Sequence, residues 1–597
     1  MRFGAEVEDA CVRFRLWCPK HERVFLKIEG DDALRPMKVI GDGWHELQTD
    51  AAGPGSLYKF VLSEGLTISD PASRFQPRDV HGPSEVIDPA TFEWTDADWR
   101  GRPWEEAAIY ELHVGAFTAE GTFRAAAKRL DALAELGITA VELMPVADFP
   151  GTRNWGYDGV QLFAPDASYG RPEDLKALVD AAHRRGLMVF LDVVYNHFGP
   201  EGNYLPACAP IFNDRHTTAW GAAVNFDAAD SEVVRELVVS NALHWIEEYH
   251  MDGLRLDAVH AIEDDSEKHI LDEIAERVHA AAGDRHVHLI LENEENTASL
   301  LARGADGRPK HYTAQWNDDL HHVLHTAATG ESSGYYLDYA RDAEKLGRAL
   351  AEGFAFQGEA MRYRGRMRGE PSAGLPPTAF VAFIQNHDQV GNRAFGDRLA
   401  TIAPPEAVRA VAAVYLLSPQ IPLLFMGEEW GTLRPFRFFC DFEPKLADAV
   451  RDGRRQEFAR FAEFQDVKTR ERIPDPTAEE TFLSAKLDWD EPKKRVHAEW
   501  RRFYRRLLAI RHAELVPRLK GIGGNCGRYE VLGQQAVRAG WTLADGSELM
   551  LVANLSATPL PAEVPDGRVL WREGSCSGGE FAPWTVLFSL RSVAPDG

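Results

Sequence analysis

The sequence predicts an α/β protein: a (β/α)8 TIM barrel with a β-sandwich in front of it and a β-domain behind. Three observations carry this. Strand and helix signals alternate from about residue 104 to residue 518, the pattern of repeated βα units around a parallel sheet. Eight short runs in that stretch are nearly all apolar, as strands buried on both faces are. Four segments then turn polar at once: DVVYNH at 192–197, GLRLD at 253–257, LILEN at 289–293 and QNHD at 385–388. A barrel strand delivers functional groups in this way at its C-terminal end. A doubly wound sheet would want a glycine-rich phosphate loop after an early strand, and none is visible.

The elements follow in order. Residues 1–95 read as strands: the runs 12–17, 24–28 and 57–62 alternate and are parted by Gly, Asp and Pro clusters, which predicts a small β-sandwich. A polar, Trp-bearing linker at 96–103 contains Gly101 and Pro103 as breakers. The catalytic unit spans 96–518. Its first strand is 108–113, followed by a helix over 123–136 closed by Gly137. Strand two is 139–144; a helix over 174–185, closed by Gly186, leads to strand three at 189–194. A long helix over 231–249 has Ser231 in the N-cap position. Strand four is 254–257, and its helix 266–282. Strands five to eight are 289–291, 312–316, 380–384 and 423–426. Two excursions interrupt the pattern: 198–227, rich in Gly, Pro, Asn and Asp, and the highly charged 431–490. An Arg-rich helix over 496–513 closes the barrel, and the runs 537–541 and 549–554 belong to a β-domain over 519–597.

A chain of 597 residues needs more than one core. Its net charge of −26 argues against nucleic acid or an anionic membrane as partner, because both would be repelled. A neutral polyol feels little of that field, and the same charge also serves solubility. The six cysteines, Cys11, Cys18, Cys208, Cys440, Cys526 and Cys576, include no C-x-x-C pair. Neither a zinc site nor a dense disulfide framework is indicated. No apolar leader and no membrane-length stretch is present, so a cytoplasmic location is expected.

The four strand ends point to chemistry on a sugar. Acetal hydrolysis needs an acid for the departing oxygen and a carboxylate facing the oxocarbenium-like carbon. Asp257 and Glu292 end neighbouring strands, so both project into one cleft. A separation of roughly 5–5.5 Å would mean retention through a covalent intermediate. Arg255, two residues before Asp257 and on the same face, is expected to hold that aspartate ionised. Glu292 follows three apolar residues, and desolvation raises a carboxylic pKa. Glu294 competes for the acid role, since strand alternation puts it on the same face. Asp388 adds a third carboxylate, which favours a cationic transition state. His197 and His387 are placed to donate to ring hydroxyls. Tyr157 and Trp316 offer aromatic faces for sugar stacking, and core packing is the competing reading for both.

These segments resemble the α-amylase family of glycoside hydrolases. The resemblance rests on 192–197, 253–257, Glu292 and 386–388, and it covers essentially the full chain. It implies that Asp257 is the nucleophile, Glu292 the proton donor and Asp388 the transition-state stabiliser. It further implies that Tyr157, His197, Arg255 and His387 contact the ring being cleaved. NWGYDGV at 154–160, QWNDDLHH at 315–322, 385–393 and FMGEEWG at 425–431 are similar to a trehalose-releasing subfamily. Its members cut the α-1,4 bond between a maltooligosaccharide and its terminal trehalose unit. The implied substrate is maltooligosyltrehalose or a related α-1,4-glucan. The implied contacts cluster at Arg255 to His260, at Asn317, Asp318 and Asp319, and at His387, Gln389 and Asn392. The acid strand departs from the subfamily, reading LENEEN where Ala-Glu followed by aspartates is usual. Asn196 matches a calcium ligand of many α-amylases, but no companion ligands are found in 198–227. No metal and no cofactor are predicted. A glucan-branching transglycosylase and a glucan-binding protein without activity are the alternatives.

Overall fold

The computed structural model describes residues 2–459 and 464–592. Eight strands close into a barrel in chain order: β1 Ile109–Leu112, β2 Ala140–Leu143, β3 Met188–Val193, β4 Gly253–Leu256, β5 His288–Leu291, β6 Ala314–Trp316, β7 Phe380–Ala382 and β8 Ile421–Phe425. Every pairing is parallel, and β8 returns to β1 with Leu423 opposite Ile109. A doubly wound sheet is therefore excluded. Alternate residues point inward, and Ile109, Phe190, Ile290, Trp316, Phe383 and Leu423 pack there as one apolar plug. Higher on the same strands lie Glu111, Asp192 and Arg255, all buried. The barrel is thus filled below and charged above, which confines any site to the C-terminal ends of the strands. Gly253 is required by the close pairing of β4 and β5: a Cβ there would stand 2.1 Å from the His288 carbonyl oxygen.

In front of the barrel stand two antiparallel sheets. One holds Gly4–Glu8, Cys11–Trp17, Trp44–Thr49 and Lys38–Gly41; the other is built around Val24–Ile28 and Leu57–Leu62. Their alternating strands bury one face each, and Phe14 meets Tyr58 across the gap at 4.8 Å between ring centroids. Behind the barrel a five-stranded sheet runs through Gly527–Gly533, Ala536–Thr542, Glu548–Asn554, Thr585–Arg591 and Arg568–Glu573. Trp541 anchors it by donating to the Leu350 carbonyl at 3.2 Å.

Several boundaries differ from expectation, for local reasons. The helix expected over 123–136 is two, Phe123–Ala127 and Leu130–Leu136, broken where Arg129 lies over the Trp489 ring. Gly137 closes the second in a left-handed conformation, φ 104°. Ser231 is not a cap: it is the first residue of the helix Ser231–Glu247, and Asp230, at φ 62°, turns the chain ahead of it. The fourth helix is Ile270–Ala282, because Asp264 accepts from Ser266 and from the Ile270 amide and so holds 264–269 as a loop. The helix expected at 496–513 is Arg495–Ile510, continued by a wider turn over Arg511–Leu515. The excursion after β3 folds as a short helix, Leu205–Cys208, and a hairpin, Phe212–Thr218 with Gly221–Val224.

The linker is locked under the barrel. His183 bridges Asp96 at 2.8 Å and Asp252 at 2.9 Å, and Trp99 stacks on its ring and donates to Asp252 at 2.7 Å. Burial opposes a charged His183, but the bonds to Asp252 and Asp96 outweigh it and its pKa is raised. A raised folded-state pKa gives stability that is full below the unfolded value of about 6.5 and is lost as pH rises through the folded value. His183→Ala is expected to destabilise the chain by about 3 kcal/mol at acidic-to-neutral pH, because two carboxylates lose their shared partner. Urea unfolding of wild type and variant across pH checks this; the difference should shrink at alkaline pH.

Candidate active site

The parallel ladder runs on past the strand ends and sets the two carboxylates side by side. The Asp257 amide donates to the Val193 carbonyl, and the Glu292 amide to the Leu256 carbonyl, each at 3.0 Å. Arg255 lies beneath both, fully buried. Its Nη1 donates to Asp257 at 2.9 Å and to Asp192 at 2.7 Å. Its Nη2 stands 2.6 Å from Glu292, a charge contact rather than a directed hydrogen bond. The guanidinium rests on the Trp316 ring at 4.1 Å, a cation–π seat that fixes it without competing for the carboxylates. The Asp257 and Glu292 carboxyls are themselves hydrogen-bonded. Ala258, at φ 40° and ψ 49°, is held in the left-handed region, and its amide donates to Glu292 at 2.9 Å. Backbone strain of this kind persists where the surroundings over-determine it.

Burial dominates the electrostatics. Arg255 does not keep Asp257 at an ordinary carboxylate value: burial pushes the carboxyl up to about 6, Arg255 pulls it down and Asp192 pushes it up. It is still ionised at neutral pH. Glu292 is raised by burial, opposed by Arg255 and reinforced by Asp257, as its apolar strand implies. Asp388 is raised by burial, with His387 opposing. His387 reaches about 9; burial works against its charge, and Asp388 and Glu111 outweigh burial. Glu111 grips the His387 ring through Nδ1 and its amide at 3.0 Å, leaving Nε2 to meet the Tyr157 hydroxyl at 2.9 Å. Tyr157 donates to Asp192 at 2.6 Å.

A cavity of about 380 Å³ opens beside this floor. Glu292, Asp388, Asp318, Gln389 and Asn392 line it. Asp318 and His322 share one face of the helix Asp318–Thr329, and both reach the cavity. Burial lifts Asp318 to about 8, with Glu292 and Glu294 adding. Gln389 donates to Asp318 at 3.2 Å, and Asn392 to Asp388 at 3.1 Å. Glu294 also lines the cavity, but it is spent on Arg364, with His260 at 3.8 Å. Strand alternation does not reach it, because β5 ends at Leu291.

Four expected contacts are corrected. Trp316 is 1% exposed and serves as the seat of Arg255, so no sugar stacks on it. Asn317 is buried and bonds the Gly353 carbonyl, Gln420 and the Leu320 amide. Asp319 is buried and accepts from Arg368, Tyr339, Asn296 and the Ala355 and Phe356 amides. Neither has a polar atom left for a ligand. His197 has both ring nitrogens engaged, by Asn196 at 2.6 Å and the Tyr157 carbonyl at 2.9 Å, so it donates to no hydroxyl; the half-exposed Trp220 stacks on its ring.

The sequence reading missed the far wall. Tyr335, Tyr363, Arg364, Arg368, Phe395 and Phe458 line the cavity, several from a segment between β6 and β7 with the hairpin Glu359–Met361 and Arg366–Arg368. Strands of three residues leave no readable period. Glu111 was findable, as an acid inside an apolar barrel strand.

A family model described as alpha amylase, catalytic domain, matches residues 86–209, and one described as a domain of unknown function (DUF3459) matches 524–588. The malto-oligosyltrehalose trehalohydrolase of Deinococcus radiodurans is 46% identical over 511 residues, 85% of this chain and 82% of the relative. That of Mycobacterium tuberculosis is 40% identical over 594 residues, 98% of this chain and 99% of the relative. The chain belongs to the malto-oligosyltrehalose trehalohydrolase family. The architecture of this trehalohydrolase-family chain is matched throughout by a solved Salmonella typhimurium structure titled as an alpha amylase, which superposes with a TM-score of 0.95, 46% identity and 99% coverage of both chains. A Paenibacillus barengoltzii pullulanase, 20% identical, shares the fold alone, with a TM-score of 0.71 over 99% of this chain and 95% of its own. With its α-amylase catalytic domain, this trehalohydrolase-family chain is a glycoside hydrolase.

Proposed function

We propose that the chain cleaves the α-1,4-glucosidic bond next to the terminal trehalose of maltooligosyltrehalose and releases trehalose with retention. One observation carries the reading: Asp257 and Glu292 sit on one arginine with their carboxyls in contact. An inverting pair leaves roughly 6.5–9.5 Å for a water, and this pair leaves none. Asp257 attacks the anomeric carbon while Glu292 gives its proton to the departing oxygen. The bond from that carbon to the trehalose oxygen breaks, and its electron pair leaves with trehalose. Water, giving a proton back to Glu292, then cleaves the glycosyl ester and restores Asp257. Asp388 faces the ring that becomes cationic, and His387, Asp192, Tyr157 and Glu111 form the buried hydrogen-bonded network that holds the floor of the site in place. The cavity beyond Glu292, walled by Asp318, Gln389 and Asn392, takes the departing disaccharide.

We also assign a cytoplasmic location, which the six free cysteines support. Among the described residues no helix is long and apolar enough to cross a membrane. Incubation with maltooligosyltrehalose tests the reaction. Free trehalose and a shortened maltooligosaccharide are expected. New α-1,6 branch points without trehalose would instead assign the chain to glucan branching.

A further inference from the structure

Away from the catalytic carboxylates, three aspartates from two units converge. Asp79 belongs to the front unit, and Asp148 and Asp166 to the segment between β2 and the helix Pro172–His183. The turn after Asp148 joins them: the Phe149 amide donates to Asp166 at 3.2 Å, and the Gly151 amide to Asp79 at 3.1 Å. Asp148 is 1% and Asp166 2% exposed, while Asp79 faces solvent. No basic side chain answers them. Arg78, beside Asp79 in sequence, is engaged by Glu29, and Arg153 by Asp441. The charges that bear on Asp148 are Asp166 and Asp79, both acidic. Buried carboxyls left in this way are costly, and elsewhere such groups are paired or coordinate a metal.

Two buried oxygens on one face are also without donors. Asp148 Oδ2 has no hydrogen-bond partner. Gln161 stands directly opposite Asp148 in the antiparallel pair of Ala147–Asp148 with Gln161–Pro165, so the two side chains share a face. Its Nε2 donates to the Ser69 hydroxyl at 3.1 Å and to the Val80 carbonyl at 3.3 Å. A carbonyl only accepts, so the amide cannot be turned round. Gln161 Oε1 is thereby fixed without a partner, in a residue 1% exposed. Native interiors leave few such atoms, and a bound ion is one cause. Burial raises both buried carboxyls; Asp166 and Asp79 add to it at Asp148, and the Ser168 bonds oppose it at Asp166. The group His216, Asp227 and Asp265 differs, because Arg215 already neutralises Asp227 at 2.6 Å.

We propose that Asp148, Asp166, Gln161 and Asp79 bind one Ca²⁺ ion. Every donor is an oxygen, which suits a hard cation, and Ca²⁺ tolerates irregular sets where Mg²⁺ demands a near-ideal octahedron. Asp79, on the solvent side, gives the ion its way in and leaves room for water. The ion ties the front unit, through Asp79, to the hairpin whose connection carries Trp155 and Tyr157.

The test uses the full chain, stripped with EGTA and titrated with CaCl₂ by calorimetry and thermal unfolding. One ion per chain is expected, with a raised unfolding temperature. Binding should release protons, so its measured enthalpy should vary with the ionisation enthalpy of the buffer. Asp148→Asn keeps the size of the side chain and should abolish binding. Asp79→Asn, at the exposed edge, should weaken it about tenfold, since ligand charge sets calcium affinity. Asp265→Asn should bind as wild type does. Crystals grown in CaCl₂ should show the ion with oxygens at about 2.3–2.6 Å. No binding would leave Asp148 a buried protonated acid and overturn the assignment. Binding unaltered in both Asp148→Asn and Asp79→Asn, or lost in Asp265→Asn, would overturn it equally.

Discussion

Replacing Asp257 by Asn is expected to lower kcat for trehalose release by about 10⁴-fold or more, with the fold intact. Asn keeps the size of the side chain and an oxygen to accept from Arg255, at 2.9 Å, while the longer 3.3 Å bond from Asn196 loses its acceptor. Arg255 remains neutralised by Asp192, so no buried charge is stranded and stability should change little. Beyond that one long hydrogen bond, what is lost is the nucleophile. KM should move far less than kcat, because the residue acts on the anomeric carbon in the transition state rather than on the bound sugar. Initial rates, together with a thermal-unfolding control, check this. Near-wild-type activity in a folded Asp257→Asn protein would remove Asp257 from the mechanism.

The barrel and its charged strand ends were legible because the physics that builds them is local. A strand buried on both faces must be an apolar run, and a group delivered at its end must break that run; LDVVYNH, GLRLD and LILEN each show it. What the end residue does there is less legible, since neighbours brought in by folding decide it. Asp318 and Asp319 are identical in kind on the sequence, yet helical geometry turns Asp318 into the cavity and Asp319 into the arms of Arg368 and Tyr339. Trp316 reads as a stacking platform until the ring is seen under Arg255. The sign of a pKa shift is harder still. Arg255 two residues away pulls Asp257 down, but the full burial that the closed barrel imposes weighs more.

Replacing Glu292 by Gln should cost about 10³-fold or more in kcat with maltooligosyltrehalose, and much less with a substrate whose leaving group needs no proton. The structure favours Glu292 over Glu294 for this role. Glu292 is hydrogen-bonded to Asp257 and raised by burial, whereas Glu294 is held by Arg364 and lowered, with burial opposing. A lowered carboxyl has no proton to give at neutral pH. Glu294→Gln should therefore leave the leaving-group dependence as in wild type, and rescue by an activated leaving group should belong to Glu292→Gln alone. The pH profile separates the roles further. In wild type, kcat/KM should rise with pH through about 6, as Asp257 loses its proton, and fall as pH passes the raised value of Glu292. The two groups share a hydrogen bond, so both limbs belong to the pair. With the activated substrate, Glu292→Gln should lose the alkaline limb and keep the acid one, because Gln has no proton to lose while Asp257 must still ionise. An alkaline limb that survives in Glu292→Gln and vanishes in Glu294→Gln would transfer the acid role to Glu294.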